Sequence, residues 1–476
     1  MKRREKGVAG KRRPRQLRGA AAALAALLCF LGPLSGCSSE TNATPDGRIT
    51  VWSLENLPPR MAATEEVVAR FEEETGIEVD LVGVAENQLP QMVMSAAAAG
   101  NLPDVIGAVT LGQAWQMHAN DLLDTEVAGD VVRALGADTF TANALELTSD
   151  GDRRLVVPSD AWLQLVVYRA DRFREAGLPA PDTYRDLLRA AEELDTGRHV
   201  GASLATDPGD VATQQSFENL ALANGCDMVD SAGDVTLDTP ACRRAFAVYD
   251  TLAREHGAPG TQTVDSTRAT YFSGTSSVLV WSSFVLDELA GLRDDALPSC
   301  PECADDRGFL AENSGVVTTL QGPDGTEPTQ FGEVTSWAVT RTAETKAART
   351  FVEYMMSEGY EEWFGMAPEG KIPLRTGTPE DTDAYLRAWR SGSLGVDRRE
   401  PMDRVYPPEL LDWLADGVTR MTRWGIPQGQ GPLVGAMGGA LPVPKAVSAM
   451  TGGQLSPGEA ARDADEEVSA LRDSLR

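Results

Sequence analysis

Apolar and polar residues alternate in Arg48-Ile-Thr-Val-Trp-Ser-Leu54 and again in Glu78-Val-Asp-Leu-Val-Gly-Val84. That alternation predicts two strands, each with one face toward a core. Between them Val67, Val68 and Phe71 recur at helical spacing, with Glu65, Glu66 and Glu72–Glu74 on the other face and Gly76 beyond. A helix over about 61–75 follows, stopped by the glycine. A second helix over 87–99, ending at Gly100, leads to a third strand, Asp104-Val-Ile-Gly-Ala-Val109. Strand–helix–strand alternation at this spacing predicts a parallel sheet in an α/β domain.

Two apolar runs follow, Leu155-Val-Val157 and Leu163-Gln-Leu-Val-Val-Tyr168, split by Pro158-Ser-Asp-Ala-Trp162. They read as two strands with a break between them. A helix at 183–195 opens on Thr183-x-x-Asp186, a capping pattern, and buries Leu187, Leu188, Ala191 and Leu194. His199–Leu204 returns as a strand, helices are predicted at 211–224 and 239–256, and the tail from about 405 reads as helical with Pro/Gly-rich breaks. A second α/β unit therefore begins after about 160. A chain of 476 residues has room for two or three domains.

Charge is placed unevenly. Residues 1–36 hold nine Lys and Arg against Glu5 alone, so a chain with net charge −28 carries −36 on its remainder. A body that acidic is repelled by phosphate backbones, which argues against nucleic acid as a partner. The basic stretch 2–18 precedes the apolar run Ala20–Leu31, which is too short for the ~20 residues of a membrane span and reads as the h-region of an export signal. Leu34-Ser35-Gly36-Cys37 resembles the lipobox of bacterial lipoproteins, which makes Cys37 the expected lipidation site and 1–36 the signal peptide. Arg12-Arg13 hints at a twin-arginine signal, but Pro14 follows and the fuller pattern is missing. After Cys37 the run Ser38–Gly47 carries Pro and Gly and no other apolar side chain larger than alanine, so 37–46 reads as a polar tether, ten extended residues reaching ~35 Å. The expected location is the extracellular face of the cell membrane, lipid-anchored.

Cys226, Cys242, Cys300 and Cys303 are then left in an oxidising compartment. A short hairpin over 227–237 would bring Cys226 and Cys242 together. Cys300-Pro-Glu-Cys303 is open to a redox, a half-metal-site or a local disulfide reading. No second CxxC occurs, and His118, His199 and His256 are distant in sequence. The disulfide is favoured, and neither a metal nor a cofactor is expected.

Several segments in order now resemble one family. Ile49-Thr-Val-Trp52, Leu102-Pro-Asp-Val105, Asp152–Pro158, Val167-Tyr168, Phe173-Arg-Glu-Ala-Gly-Leu178 and Pro181-Asp-Thr-Tyr184 are followed by Phe272–Val278, Thr345–Tyr354 and Gly370-Lys-Ile-Pro-Leu-Arg375. Together they resemble the extracellular solute-binding proteins of bacterial ABC importers, in the group serving sugar and oligosaccharide uptake. The chain departs from the family pattern at Tyr168-Arg169-Ala170 and Gly274–Val278, which bears on the ligand more than on the fold. The resemblance implies an α/β, two-lobed periplasmic-binding-protein-like fold with a hinge and an interlobe ligand cleft. Lobe one would be 47–160 plus 329–358, and lobe two 161–328 plus 359–476. It also implies a monomer that delivers a sugar or oligosaccharide to permease subunits without transforming it.

A sugar ring offers an apolar face to aromatic planes and a rim of hydroxyls to carboxylates and amides. The expected ligand-binding residues are Trp52, Trp162, Trp281 and Trp337, with Glu55, Asn56, Asp104, Asp160, Glu333 and Arg375 as polar partners. No catalytic residue is assigned. Gly365–Ile372 nearly matches a phosphate loop, but Ile372 stands where Ser or Thr must bind magnesium. Gly201–Ala205 nearly matches a nucleophile elbow, but Ala205 replaces its second glycine. The rival readings are a secreted lipoprotein glycoside hydrolase working through two carboxylates, and a binding protein for a non-sugar solute.

Overall fold

The computed structural model describes residues 47–475. The expected signal peptide, Cys37 and the tether lie outside the described residues.

Nine strands build the main sheet system: β1 (Arg48–Ser53), β2 (Glu78–Gly83), β3 (Val105–Thr110), β4 (Val157–Arg169), β5 (Val200–Ser203), β6 (Ser276–Ser282), β7 (Ser314–Val317), β8 (Gly332–Val339) and β9 (Ile372–Pro373). Their order is β2-β1-β3-β8-β4-β6-β5, with β7 and β9 also pairing with β4. β1 is parallel to both β2 and β3, as strand–helix–strand spacing requires. The helix α1 (Pro58–Thr75) between β1 and β2 begins on a proline pair and ends at Gly76 in the left-handed conformation.

One strand joins two half-sheets. The first part of β4, Val157–Leu163, pairs with β8, while Asp160 and Ala161 also pair with β9. From Gln164 onward the partners change to β6 and β7. The break expected at 158–162 is absent: Pro158 sits at the strand start, and a register shift opposite Thr335 and Ser336, with Ser159 as the extra residue on β4, absorbs it. All of β4 except Tyr168 is buried, because helices or sheet cover both faces.

The C-terminal helices bridge the halves. α2 (Leu111–Ala119) follows β3, and α3 (Val211–Ala223) and α4 (Pro240–Asp250) flank the second half-sheet. α5 (Gly431–Ala440) lies on α2, whereas α6 (Pro442–Thr451) and α7 (Pro457–Ser474) pack around α3 and α4. The α5–α2 approach is close: a Cβ on Gly435 would stand 2.6 Å from the Gln116 backbone nitrogen. Among the described residues no single helix is long and apolar enough to cross a membrane.

Cys226 is bonded to Cys242 and Cys300 to Cys303. The first bridge closes a turn in which Val229 and Val235 pair as an antiparallel bridge. Replacing both Cys226 and Cys242 by alanine should lower unfolding free energy by about 3 kcal/mol in the chain-entropy account. Urea melts of the double variant check this, and an unchanged midpoint would show that helix packing alone holds the turn.

Candidate functional site

A cavity of about 320 Å³ opens where the two half-sheets meet. Its floor is one face of β4, since the alternate residues Asp160, Trp162 and Gln164 all line it. The first half contributes Leu54, Glu55, Arg60, Glu86, Ala108, Thr110 and Thr335. The second half contributes Ala205, Asp210, Val211, Ala212, Gln215, Ser216, Val264, Val280, Trp281, Ser282 and Phe284. A larger groove lined by Tyr168, Trp413 and Arg420 draws only on the second half and its C-terminal helices. The smaller cavity joins both halves and gathers convergent polar groups on an aromatic wall, as ligand sites do.

Ala108 sits at the rim with a φ of 61°, a strained conformation for a residue with a Cβ. Gly107 beside it admits the Trp337 ring, which would stand 2.5 Å from any Cβ there. This kink follows the last β1–β3 pair, Ser53 with Gly107, and shifts the register of β3 on β8, which resumes at Val109 and Thr110; Thr110 lines the cavity and its hydroxyl caps α2.

Beneath the floor lies a buried charge network. Lys371 donates to Glu55 at 2.6 Å and to Asp160 at 3.2 Å, with its ammonium 4.4 Å from the centre of the Trp363 ring. Arg60 donates to the other Glu55 oxygen at 2.7 Å and lies over the Phe284 ring. Asp160 also accepts from Ser159 and Thr335 hydroxyls, each at 2.7 Å, and from the Trp363 indole at 2.9 Å. Burial by itself would raise the Glu55 carboxyl, but the cations of Lys371 and Arg60 hold it at about 2. Both carboxylates are therefore fixed in place, and Glu55 is charged at neutral pH.

Two walls complete the site. The Trp281 indole is half-buried and locked by donation to the Val264 carbonyl at 3.1 Å, which leaves a fixed aromatic surface toward the cavity. Trp162 is only 9% exposed and leans on Phe331. Glu86, in the short turn after β2, is open to cleft solvent yet walled by protein. That burial, and then the neighbouring carboxylates of Glu333, Glu55 and Asp210, push its carboxyl up to about 7.

Of the ten expected residues, Glu55, Asp160, Trp162 and Trp281 line this cavity. The other six do not. Trp337 is completely buried against Trp363 and Phe351, a core residue of the first half. Glu333 is bound to Arg423 and accepts from the Leu111 backbone, and Arg423 also reaches Glu218 at 3.1 Å. It is thus part of a buried ion network linking β8 to α3. Arg375 is spent on the Leu135 and Met356 carbonyls and the Thr139 hydroxyl. Asp104 accepts from the backbone of Thr50 at 2.8 Å and of Glu344 at 2.7 Å. Trp52 is half-buried on the first core, and Asn56 is exposed beyond the cavity rim. Reasoning from the sequence missed Arg60, Glu86, Gln164, Asp210 and Lys371. Lys371 did stand out in the failed phosphate loop.

Residues 66–389, more than half the chain, match the family model of the bacterial extracellular solute-binding protein. The chain belongs to that family. Over 364 residues it is 28% identical to YcjN of Escherichia coli (strain K12), named as a proposed ABC transporter periplasmic-binding protein; the match spans 74% of this chain and 79% of YcjN. Among solved structures it resembles maltose-bound MalE3 of T. maritima, with a TM-score of 0.67, 16% identity and coverage of 89% and 99%. It also resembles the GacH receptor of Streptomyces glaucescens GLA.O, solved unliganded and with acarbose, with a TM-score of 0.66, 20% identity and coverage of 89% and 98%. A binding protein of Thermotoga lettingae TMO holding α-D-tagatose gives 0.67 and 17%, with coverage of 89% and 99%. These likenesses establish the two-lobed α/β fold for this solute-binding protein, and its cavity lies between the two half-sheets.

Proposed function

We propose that this solute-binding protein is the receptor of an ABC importer, taking a sugar or short oligosaccharide into the cleft and passing it unaltered to permease subunits. The observation that carries the reading is the cavity itself: the fixed Trp281 side chain and the anchored carboxylates of Glu55 and Asp160 line one space, on a floor of alternating β4 residues. An indole takes the C–H face of a ring and carboxylates take its hydroxyls. Further support comes from the solved neighbours that hold maltose, α-D-tagatose and acarbose. A volume near the low end of the roughly 300–1,000 Å³ usual for small-molecule sites suits one or two sugar rings.

The protein acts as a monomer, without catalytic residue, metal or cofactor, held by lipid on Cys37 to the outer face of the membrane. In this reading lobe one is 47–160 plus 329–358, and lobe two is 161–328 plus 359–476. Tyr360–Arg375, however, packs on the first half through β9 and the Tyr360 hydroxyl bound to the Ser159 carbonyl, so the return to lobe two follows Arg375.

Titration calorimetry against mono- and oligosaccharides tests the function. A saturable heat is expected, with the ligand recovered intact. Turnover would point to the glycoside hydrolase, and binding of amino acids or peptides alone would leave only the solute-binding role. Cys37→Ala should move the protein from the membrane fraction to the medium or leave the precursor uncleaved; unchanged retention of the mature variant would end the lipoprotein reading.

A further inference from the structure

The cavity carries more negative charge than its own cations balance. Glu55 and Asp160 are matched by Arg60 and Lys371. Glu86 and Asp210 are not. Among the described residues Glu86 makes no side-chain hydrogen bond or ion pair, and the Asp210 side chain accepts only from the Ala212 backbone, at 2.9 Å. The two stand on opposite halves, Glu86 after β2 and Asp210 at the start of α3, so closure of the hinge around a solute brings both into one shrinking, drying space. A neutral sugar would leave both carboxyl groups without a cationic partner where water no longer screens them. An ammonium group would pair with them. A metal ion is a poor alternative, because among the described residues no three His, Cys, Asp or Glu side chains gather in a metal-binding arrangement.

We infer that the cleft selects a sugar bearing a protonated amine, with its ring on Trp281 and its ammonium between Glu86 and Asp210. This rests on the sugar-receptor reading and names its substrate class. The groups facing Glu86 agree with it. Glu55, Asp210 and Glu333 all act to raise its carboxyl toward about 7, and no cation offsets them. An arriving ammonium supplies the missing counter-charge and draws the Glu86 proton off, so binding near pH 7 releases protons.

The test is calorimetry on the whole protein with glucosamine, N-acetylglucosamine and glucose, and with their β-1,4-linked disaccharides. The amine-bearing member of each set should bind about ten-fold tighter or more than its neutral partners, with an enthalpy that varies with buffer ionisation. Glu86→Gln and Asp210→Asn should each collapse that ratio. Asparagine keeps the helix cap, so the second variant should retain its fold. Equal or tighter binding of the neutral sugars, or a ratio that survives both variants, overturns the inference while the sugar-receptor reading stands. A simple diamine that binds when none of the six sugars does overturns both, and silence from all six overturns the inference.

Discussion

Lys371→Met should be the most destabilising single substitution in the cleft, costing about 3–5 kcal/mol at neutral pH. The lysine is 1% exposed and is the shared counter-ion of Glu55 and Asp160. Methionine fills its volume but leaves two buried carboxylates, with Arg60 reaching only one of them. The acid limb of the stability profile should change too. In the native protein Glu55 lies at about 2, below its ordinary 4.5. Its contribution is therefore complete above about pH 4.5 and lost as pH falls toward 2. Removing Lys371 brings that loss to higher pH. Glu55→Gln in the Lys371→Met background should recover part of the deficit, since it removes one stranded charge. Denaturant melts from pH 3 to pH 8 read all three effects, and a wild-type midpoint for Lys371→Met at pH 7 would refute the counter-ion role.

Trp281→Ala should weaken ligand binding by about 10–1000-fold while the fold survives. Loss of a buried aromatic plane costs a few kcal/mol, and each 1.4 kcal/mol is tenfold. The side chain is half-buried and is positioned by one hydrogen bond to Val264, so truncation removes little of the core. Trp162→Ala is a less clean probe, because Trp162 is mostly buried and packs on Phe331. Affinity within three-fold of wild type for Trp281→Ala would remove the stacking surface from the argument.

Much of the framework was legible from periodicity. The early strands and helices fall within a few residues of where alternation and helical spacing put them, because each has one polar and one apolar face. The hinge strand was misread for a physical reason. Pro158, Ser159 and Asp160 look like a break, yet Asp160, like Gln164 further along the strand, is a buried polar group, held by Thr335, Trp363 and Lys371 as Gln164 is by Ser216. A strand buried on both faces has no alternation to read. Glu333 and Trp337 were chosen for their residue types, and nothing in the sequence shows that β8 turns Trp337 into the core and Glu333 toward Arg423. Lys371 and Arg60 could not be found by spacing at all. They reach Glu55 from a Gly/Pro-rich loop and from the first turn of α1, and only the assembled fold brings them together.

The pairing of β3 with β8 has a consequence for how the chain comes to be folded. Val105 lies opposite Val339, so β3 has no partner on that side until nearly three-quarters of the polypeptide has been made. During synthesis the first three strands can form only an open-edged fragment, and such edges invite pairing with other chains. Closing them means first bringing together residues separated by the whole of the second half-sheet, a slow event by the relation between contact separation and folding rate. A ribosome-bound or truncated product ending before Gly332 should thus remain dependent on chaperones, whereas one extending past Val339 has the strand that seals the edge.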